Sequence, residues 1–209
     1  DGDLLAELQG KLVRNEFDRI LITGMGASYN AAYPAYLHLT NLGLPVILVN
    51  AAELLHYSPD LISSRSLLWL NSQSGRSIEL VRLLDRIKSQ PPAAILATVN
   101  DISSPLANEA DLCLPIYAGQ EATVSTRTYL NMLLINLLAA VVLLGGELQT
   151  TKRKFQLAAV RMQEYLTHWQ AAVAELDSRL GTVKNLFFLG RGASLAAVWN
   201  CSLINKEAA

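Results

Sequence analysis

Short apolar runs alternate with stretches of helical spacing along the first two thirds of the chain. Five of these runs are continuously hydrophobic, which is typical of parallel strands that are covered on both faces. The predicted strands are Arg19–Thr23, Pro45–Val49, Ser66–Asn71, Ala93–Thr98 and Asp111–Pro115. The predicted helices between them are Tyr29–Leu42, Ser77–Ser89 and Pro105–Glu109. Short connections between alternating strands and helices favour right-handed crossovers, so residues 1–146 are predicted to form a doubly wound, flavodoxin-like α/β domain with a five-stranded parallel sheet.

Two long helices are predicted after the last strand, at Ser125–Leu144 and Thr151–Leu180. The second helix makes residues 147–183 a connecting segment, and His168 is expected on its polar face. The section Leu130–Leu144 is apolar around most of its circumference, more than one sheet face can bury. Part of it is therefore expected to pack on another domain or subunit, and we predict a homodimer.

An internal repeat follows the connecting segment. Ile20–Ala32 has the sequence ILITGMGASYNAA, and Leu186–Val198 has the sequence LFFLGRGASLAAV. Each is an apolar run, a Gly-x-Gly-Ala-Ser turn and an alanine-rich helix. A repeat of this kind indicates a second copy of the same domain. Lys184–Leu189 is accordingly predicted to be a strand, and residues 184–209 are predicted to be the truncated beginning of the second domain.

Composition excludes several classes of protein. Of the 209 residues, 51% are hydrophobic and 17% charged, so a large core can form. The net charge is −1 and no basic stripe is visible, so no nucleic-acid partner is predicted. The most apolar stretch, Met132–Leu144, has roughly 13 residues where a bilayer needs about 20. It is predicted to be a buried helix, with no membrane association.

The cysteines and histidines do not form a recognisable metal or catalytic motif. Cys113 and Cys201 lie far apart in apolar runs, so we expect reduced thiols packed as small hydrophobic groups. Reduced cysteines and the lack of a signal peptide predict a cytoplasmic protein. His38 and His56 have no partner cluster in the sequence, and Gly-x-Ser-x-Gly is absent. The sequence predicts no metal and no organic cofactor.

Three strand-to-helix loops carry the candidate chemistry, because ligands of open parallel sheets bind at the carboxyl ends of the strands. The first loop contains Ser28, and the third, residues 72–77, has the sequence SQSGRS. The fifth, Gly119–Arg127, contains Glu121, Thr123, Ser125 and Thr126. Glycines allow close backbone approach, hydroxyls donate hydrogen bonds, and helix N-termini present free N–H groups. Together these features predict a phosphate site.

Two other interpretations of these loops remain open at this point. A serine before a helix is most often an ordinary N-cap. The turn Gly24-x-Gly26 also begins the dinucleotide-binding fingerprint, but Tyr29 stands where its third glycine belongs. Asn50 follows the second strand at the position where that fingerprint has an acidic residue for the ribose. Lysine is absent from all three loops, unlike in a Walker A loop.

At this point the chain resembles the sugar isomerase (SIS) domain family. The resemblance rests on four matches: GMGASY at Gly24–Tyr29, SQSGRS at Ser72–Ser77, VN…SSPLANEAD at Val99–Asp111, and STR at Ser125–Arg127. The second FLGRGAS, at Phe188–Ser194, supports a double-SIS arrangement. The chain is most similar to the isomerase half of glucosamine-6-phosphate synthase and to stand-alone phosphosugar isomerases.

The resemblance implies a set of ligand-binding residues. In the family, the phosphate is held by residues that match Ser28, Ser72, Gln73, Ser74 and Ser77 here, with Ser125 nearby. Every hydroxyl is retained in this chain. Arg76 stands where the family usually has an acidic residue, a change expected to alter surface contacts and to leave phosphate capture intact.

The resemblance also implies one catalytic residue. In the synthase, the helix after the second GxG turn carries Glu, Lys and Glu at positions that match Asn200, Ile204 and Glu207. Only Glu207 is retained, where the family's acid moves a proton between C1 and C2. A solvated surface acid is the alternative interpretation of Glu207.

Two functions follow as expectations. The first is an enzyme that binds a phosphorylated sugar or amino sugar and catalyses aldose–ketose isomerisation or amino-sugar phosphate deamination, with Glu207 as the base. Because no glutaminase domain is present in these residues, glutamine-dependent amination is not expected. The alternative is a non-catalytic sensor that binds the same sugar phosphate, and Asn200 and Ile204 favour it.

Overall fold

Five parallel strands form one sheet in the order β2-β1-β3-β4-β5. The computed structural model describes residues 2–121 and 124–208. The strands are β1 (Arg19–Gly24), β2 (Val46–Asn50), β3 (Ser66–Ser72), β4 (Ala94–Val99) and β5 (Leu112–Pro115). This order is the flavodoxin-like one, and its topological switch point lies between β1 and β3. The predicted fold class is confirmed, and each predicted strand lies within one residue of the observed one.

Nine helices accompany the sheet in the described parts of the chain. They are α1 (Gly2–Val13), α2 (Gly26–Leu39), α3 (Ala51–His56), α4 (Ile78–Ile87), α5 (Pro105–Glu109), α6 (Arg127–Leu143), α7 (Leu148–Leu166), α8 (Trp169–Leu180) and α9 (Ser194–Ala208). Helices α1, α2 and α6 bury their apolar side chains on one face of the sheet. Helices α3, α4 and α5 cover the other face. The sheet is therefore covered on both sides, which is why its strands read as continuous apolar runs.

The sheet register places the first and third loops side by side. β1 pairs in parallel with β3, with Gly24 opposite Asn71 at the end of each strand. Ser72, the next residue of β3, is buried and opens the third loop. The two loops therefore begin at the same level of the sheet, at its switch point.

Three sequence predictions about the helices are wrong or incomplete. Helices α1 and α3 were not predicted. The predicted single helix Thr151–Leu180 is two helices, because a turn at Thr167 and His168 interrupts the helical conformation. His168 precedes the first turn of α8 instead of lying on the polar face of a continuous helix. Neither Gly nor Pro stands at the break, so no local residue signals it.

The predicted strand Lys184–Leu189 is also wrong. The segment is not a strand, and most of its apolar side chains are exposed, with Phe187 82% and Leu189 90% accessible. A strand needs a neighbour that pairs with its backbone, and within residues 2–121 and 124–208 no other strand pairs with this segment. The turn and helix that follow it do form, as Gly190–Ala193 and α9.

Two further expectations concern burial. Cys113 is half-buried against the α3–α5 face, as predicted for a packed thiol, but Cys201 is exposed on α9. Its apolar neighbours do not bury it because α9 lies against α2 through other positions. In the part of the chain that is described, no helix is both long enough and apolar enough to cross a bilayer.

Candidate functional site

A pocket of about 320 Å³ lies at the carboxyl ends of β1 and β3. Its walls come from the first, third and fifth strand-to-helix loops, from α6 and from α9. All seven predicted site residues line it: Ser28, Ser72, Gln73, Ser74, Ser77, Ser125 and Glu207. The structure therefore brings residues from four separate segments of the sequence to one place. Their roles in binding and catalysis stay predictions.

The third loop, residues 72–77 (the serine loop), is a tight turn that its own hydroxyls hold in shape. Ser72 Oγ accepts a hydrogen bond from Gly75 N at 3.1 Å and lies 2.9 Å from Ser77 Oγ. Ser74 Oγ accepts from Arg76 N at 3.2 Å. Gly75 has φ +60°, and a Cβ there would overlap the side chain of Ser104. Only glycine fits both the backbone conformation and the space.

The first loop packs directly against the end of β3. A Cβ at Gly24 would lie 2.8 Å from the Asn71 carbonyl oxygen, closer than such atoms can approach. The glycine therefore lets β1 turn into α2 beside the serine loop, and Ser28 falls in the first turn of α2. This close packing explains the position of the first glycine in the turn, independently of any dinucleotide.

The N-termini of the three pocket helices differ in how their N–H groups are used. At α2 and α4, the side chains of the N-cap residues Met25 and Ser77 make no capping hydrogen bond. At α6, the Glu121 carboxylate accepts from the backbone N–H groups of residues 126, 127 and 128 at 2.8–2.9 Å. The α6 terminus thus already holds an anion. The positive ends of α2 and α4, at the switch point, are the ones that can serve an incoming anion.

Glu121 is held ionised by these contacts. Burial alone would raise its pKa, but the backbone N–H groups of Thr128, Arg127 and Thr126 outweigh burial and hold the pKa far below its ordinary value. The same contacts tie Glu121 to the start of α6, which directly follows Ser125. Thr123, which belongs to the same predicted loop, lies outside the described residues.

Helix α6 contributes a wall that the sequence analysis missed. Thr128, Tyr129 and Met132 line the pocket, about one and two turns beyond Ser125. Gln73 Nε2 lies 3.4 Å from Thr128 Oγ1, so α6 also contacts the serine loop. The signal was available, because positions three, four and seven residues after Ser125 share its helix face.

Helix α9 contributes a further wall of the pocket. Asn200, Leu203, Ile204 and Glu207 line it, at the spacing of one helix face. Trp199 holds α9 against α2 by an edge-to-face contact with Tyr33, with ring centroids 4.7 Å apart. Glu207 is exposed at the pocket mouth.

The pocket lining is nearly uncharged. Among the described residues that line it, Glu207 alone carries a charge. Lys206 is adjacent in sequence but lines a different hollow, beside Tyr29 and Asn50. An anion in this pocket would therefore be held by hydroxyls, amides and helix N-termini rather than by a cationic side chain.

Several other candidates lie outside the pocket. Arg76 points away from it and forms an exposed ion pair with Asp101, Nη2 to Oδ2 3.0 Å. Asn50 caps α3 by accepting from Ala52 N at 3.0 Å. His38 and His56 are exposed, and neither lines the pocket. Within residues 2–121 and 124–208, no group of three or more His, Cys, Asp or Glu side chains could hold a metal ion.

Comparison with known proteins identifies relatives of this arrangement. The glutamine–fructose-6-phosphate aminotransferase (isomerizing) of Pyrococcus horikoshii is 30% identical over 199 residues, which are 93% of this chain and 33% of the relative. The C-terminal domain of glucosamine-fructose-6-phosphate aminotransferase from Francisella tularensis has a TM-score of 0.80 and 25% identity, covering 99% of this chain and 58% of that one. The chain spans about a third of the length of the curated relative.

A third relative shares the fold alone. It is a protein of Escherichia coli CFT073 whose structure was solved as a complex, with a TM-score of 0.57 and 20% identity over 66% of this chain and 74% of that one. Residues 14–142, which include the whole sheet, match the SIS domain family. The chain therefore belongs to the SIS domain family and is related to the isomerase part of glutamine–fructose-6-phosphate aminotransferase.

Proposed function

We propose that the pocket binds a phosphorylated sugar, with the phosphate at the switch point between β1 and β3. One observation carries this proposal: the serine loop and the first turn of α2 surround one cavity at helix N-termini whose cap residues make no capping hydrogen bond to the helix backbone. A phosphate there would accept hydrogen bonds from Ser28, Ser74 and Ser77 and from backbone N–H groups. The aminotransferase relatives named above, whose names include fructose 6-phosphate, support the same ligand class.

The proposed reaction is isomerisation of a phosphorylated sugar or deamination of a phosphorylated amino sugar. Glu207 is the proposed base, because it is the single charged group among the described residues that line the pocket. It would remove a proton from the carbon beside the carbonyl of the open-chain sugar and return it to the neighbouring carbon through an enediol or enamine. In the deamination, water would then add to the imine formed at the carbon that carries the nitrogen, and the nitrogen would leave as ammonia. No metal or organic cofactor takes part in this proposal.

The proposed domain organisation extends the site. Residues 1–146 form the first SIS domain, residues 147–183 connect, and the repeat at Leu186–Val198 marks the start of a second copy from residue 184. In this arrangement α9, the first helix of the second copy, supplies Glu207 to the pocket of the first. We also propose that the protein acts as a homodimer in the cytoplasm.

Proton transfer by Glu207 is tested by solvent exchange in the full-length protein. Fructose 6-phosphate and glucosamine 6-phosphate are incubated in deuterated buffer, and incorporation at C1 or C2 is followed by NMR. Glu207→Gln should slow exchange by about 10²–10⁴-fold, the usual effect of losing a positioned base. Glu164→Gln, an exposed acid on α7 outside the pocket, is the matched control.

A non-catalytic sensor is the second candidate, and one observation favours it. Asn200 and Ile204 both line the pocket at the two positions where the synthase helix carries an acid and a lysine. An amide and an alkyl group can bind a sugar but cannot exchange protons with it. If wild-type protein binds sugar phosphates tightly and exchanges none of them, the sensor is the correct function. If Glu207→Gln exchanges as fast as wild type, the base is a different residue.

A further inference from the structure

Two buried polar atoms in the pocket wall have no partner. Tyr129, on α6, is 8% exposed, and Asn200, on α9, is 4% exposed. Tyr129 Oη and Asn200 Oδ1 are both buried, and neither has a hydrogen-bond partner among the residues that the structure describes. Buried polar atoms are nearly always paired. Both residues line the same pocket as the serine loop, so a ligand hydroxyl there is a candidate for the missing partner.

The chemistry of the pair is uncharged. Burial raises the pKa of Tyr129 to about 12, so the phenol stays protonated at neutral pH and can donate as well as accept. The Asn200 amide also offers one acceptor and two donors, and a half-turn about its last side-chain bond exchanges them. Their neighbours in the lining include Met132, Leu203 and Ile204, which are apolar. Such a setting suits hydroxyl groups better than a second charge.

The pair lies on helices α6 and α9, which line the pocket together with the phosphate loops. Tyr129 follows Ser125 by about one helical turn. Asn200 precedes Glu207 by two turns on the same face of α9. A ligand anchored at the serine loop would extend from the switch point toward these two helices.

We propose that Tyr129 and Asn200 determine specificity by binding hydroxyl groups of the sugar while the serine loop binds its phosphate, an inference that rests on the proposed function. Each bond would be made to an uncharged hydroxyl, so the pair distinguishes sugars by the position of their hydroxyls. The phosphate contributes affinity without this discrimination, because every sugar phosphate compared carries the same phosphate group.

The test measures the affinity of inorganic phosphate, glucose 6-phosphate and its 2-, 3- and 4-deoxy analogues by calorimetry, for wild type and Tyr129→Phe. The substitution removes one oxygen and keeps the ring in place. It should weaken the affinity for glucose 6-phosphate by about three- to tenfold, the effect of losing one neutral hydrogen bond, and leave the affinity for inorganic phosphate unchanged. One deoxy analogue should bind wild type more weakly than glucose 6-phosphate does, by the same three- to tenfold factor. That analogue should bind wild type and Tyr129→Phe with equal affinity. For Asn200→Ala, the deoxy analogue that binds wild type and variant with equal affinity should be a different one, lacking a different hydroxyl.

Tyr33→Phe is the matched control, because Tyr33 is absent from the pocket lining and packs on Trp199. Thermal melts confirm that each variant is folded. If Tyr129→Phe binds every ligand as wild type does, or weakens inorganic phosphate by the same factor as glucose 6-phosphate, the inference is wrong and Tyr129 has a structural role. If wild type binds neither inorganic phosphate nor any sugar phosphate, the proposed function fails, and the inference fails with it.

Discussion

Asn136 Nδ2 donates a hydrogen bond of 2.8 Å to Asn71 Oδ1, which ties helix α6 to the residue before Ser72. Both side chains are fully buried. The bond is part of a chain: Trp69 Nε1 donates to Thr98 Oγ1, and Thr98 Oγ1 donates to Asn136 Oδ1, each at 2.9 Å. The network therefore joins β3, β4 and α6 beneath the pocket and fixes the serine loop relative to the α6 wall.

Replacing Asn136 by leucine should destabilise the protein by about 2–4 kcal/mol. The change leaves Asn71 Oδ1 buried without a partner and removes the acceptor of the Thr98 hydroxyl, which keeps only its bond from Trp69 Nε1. Each loss of this kind costs about 1–3 kcal/mol. Urea unfolding measures the difference. Asn131→Leu is the matched control on the same helix: Asn131 makes one half-buried bond to the Ile116 carbonyl, so its loss should cost about 1 kcal/mol. Equal effects of the two substitutions would contradict a special role for the network.

Gly75→Ala should abolish phosphate binding. The new Cβ would require φ +60° in a non-glycine residue and would overlap Ser104, so the serine loop must open. Gly43→Ala is the control that separates backbone strain from steric overlap. Gly43 also has a positive φ, +77°, but a Cβ there would have no other atom within 4 Å. Gly43→Ala should cost about 1 kcal/mol of stability and leave the affinity for phosphate unchanged. Wild-type affinity in Gly75→Ala would show that the shape of the loop is unimportant.

Much of the sheet could be predicted from the sequence because buried parallel strands are continuous apolar runs, and Ile20–Thr23 and Leu67–Leu70 are fully buried on both faces. The serine loop could be predicted because glycine and hydroxyl residues follow a strand end directly. Helix α3 could not, since six residues are too few for a clear helical period. Helix α1 was missed although Leu5, Leu8 and Leu12 have helical spacing and are buried.

The contribution of α6 and α9 to the pocket depends on tertiary packing. Asn200 lies in an apolar helical sequence, where a polar residue gives no indication of which cavity it faces, whereas Tyr129 shares the predicted helix face of Ser125. The failed strand at Lys184–Leu189 has the same origin, because an apolar run becomes a strand only where another strand pairs with it.

Glu121→Gln should destabilise the protein at pH 7 by about 1–2 kcal/mol, because the charge at the α6 N-terminus is lost. The pKa of Glu121 is lowered in the folded state, so its contribution is complete above the ordinary value of 4.5 and is lost as pH falls from there toward the folded pKa. The difference in unfolding free energy between wild type and Glu121→Gln, measured in urea, should therefore shrink as the pH falls from about 5 to about 3. A difference that is independent of pH would show that the ionised form is not the stabilising one.

Self-association should occur through α7 and α8 more than through α6. Tyr129, Met132 and Leu143 of α6 are buried within the chain, whereas Trp169, Val173 and Leu176 form an exposed apolar stripe on α8. Sedimentation at tens of micromolar should find a dimer or a larger species. Val173→Glu should shift it toward monomer, and Ala171→Glu, on the other face of α8, should not. A monodisperse wild-type monomer would contradict this prediction.

The most direct test of the central claim is whether the pocket recognises the phosphate of a sugar. Calorimetry with fructose 6-phosphate, glucosamine 6-phosphate and free fructose should detect binding of the two sugar phosphates and no binding of free fructose. Ser74→Ala should weaken the binding of both sugar phosphates by more than tenfold, since a charge-assisted hydrogen bond contributes about 1.5–3 kcal/mol. Ser178→Ala, at an exposed position on α8, should leave both affinities unchanged. Equal affinity for free and phosphorylated fructose, or undiminished binding by Ser74→Ala, would contradict the account.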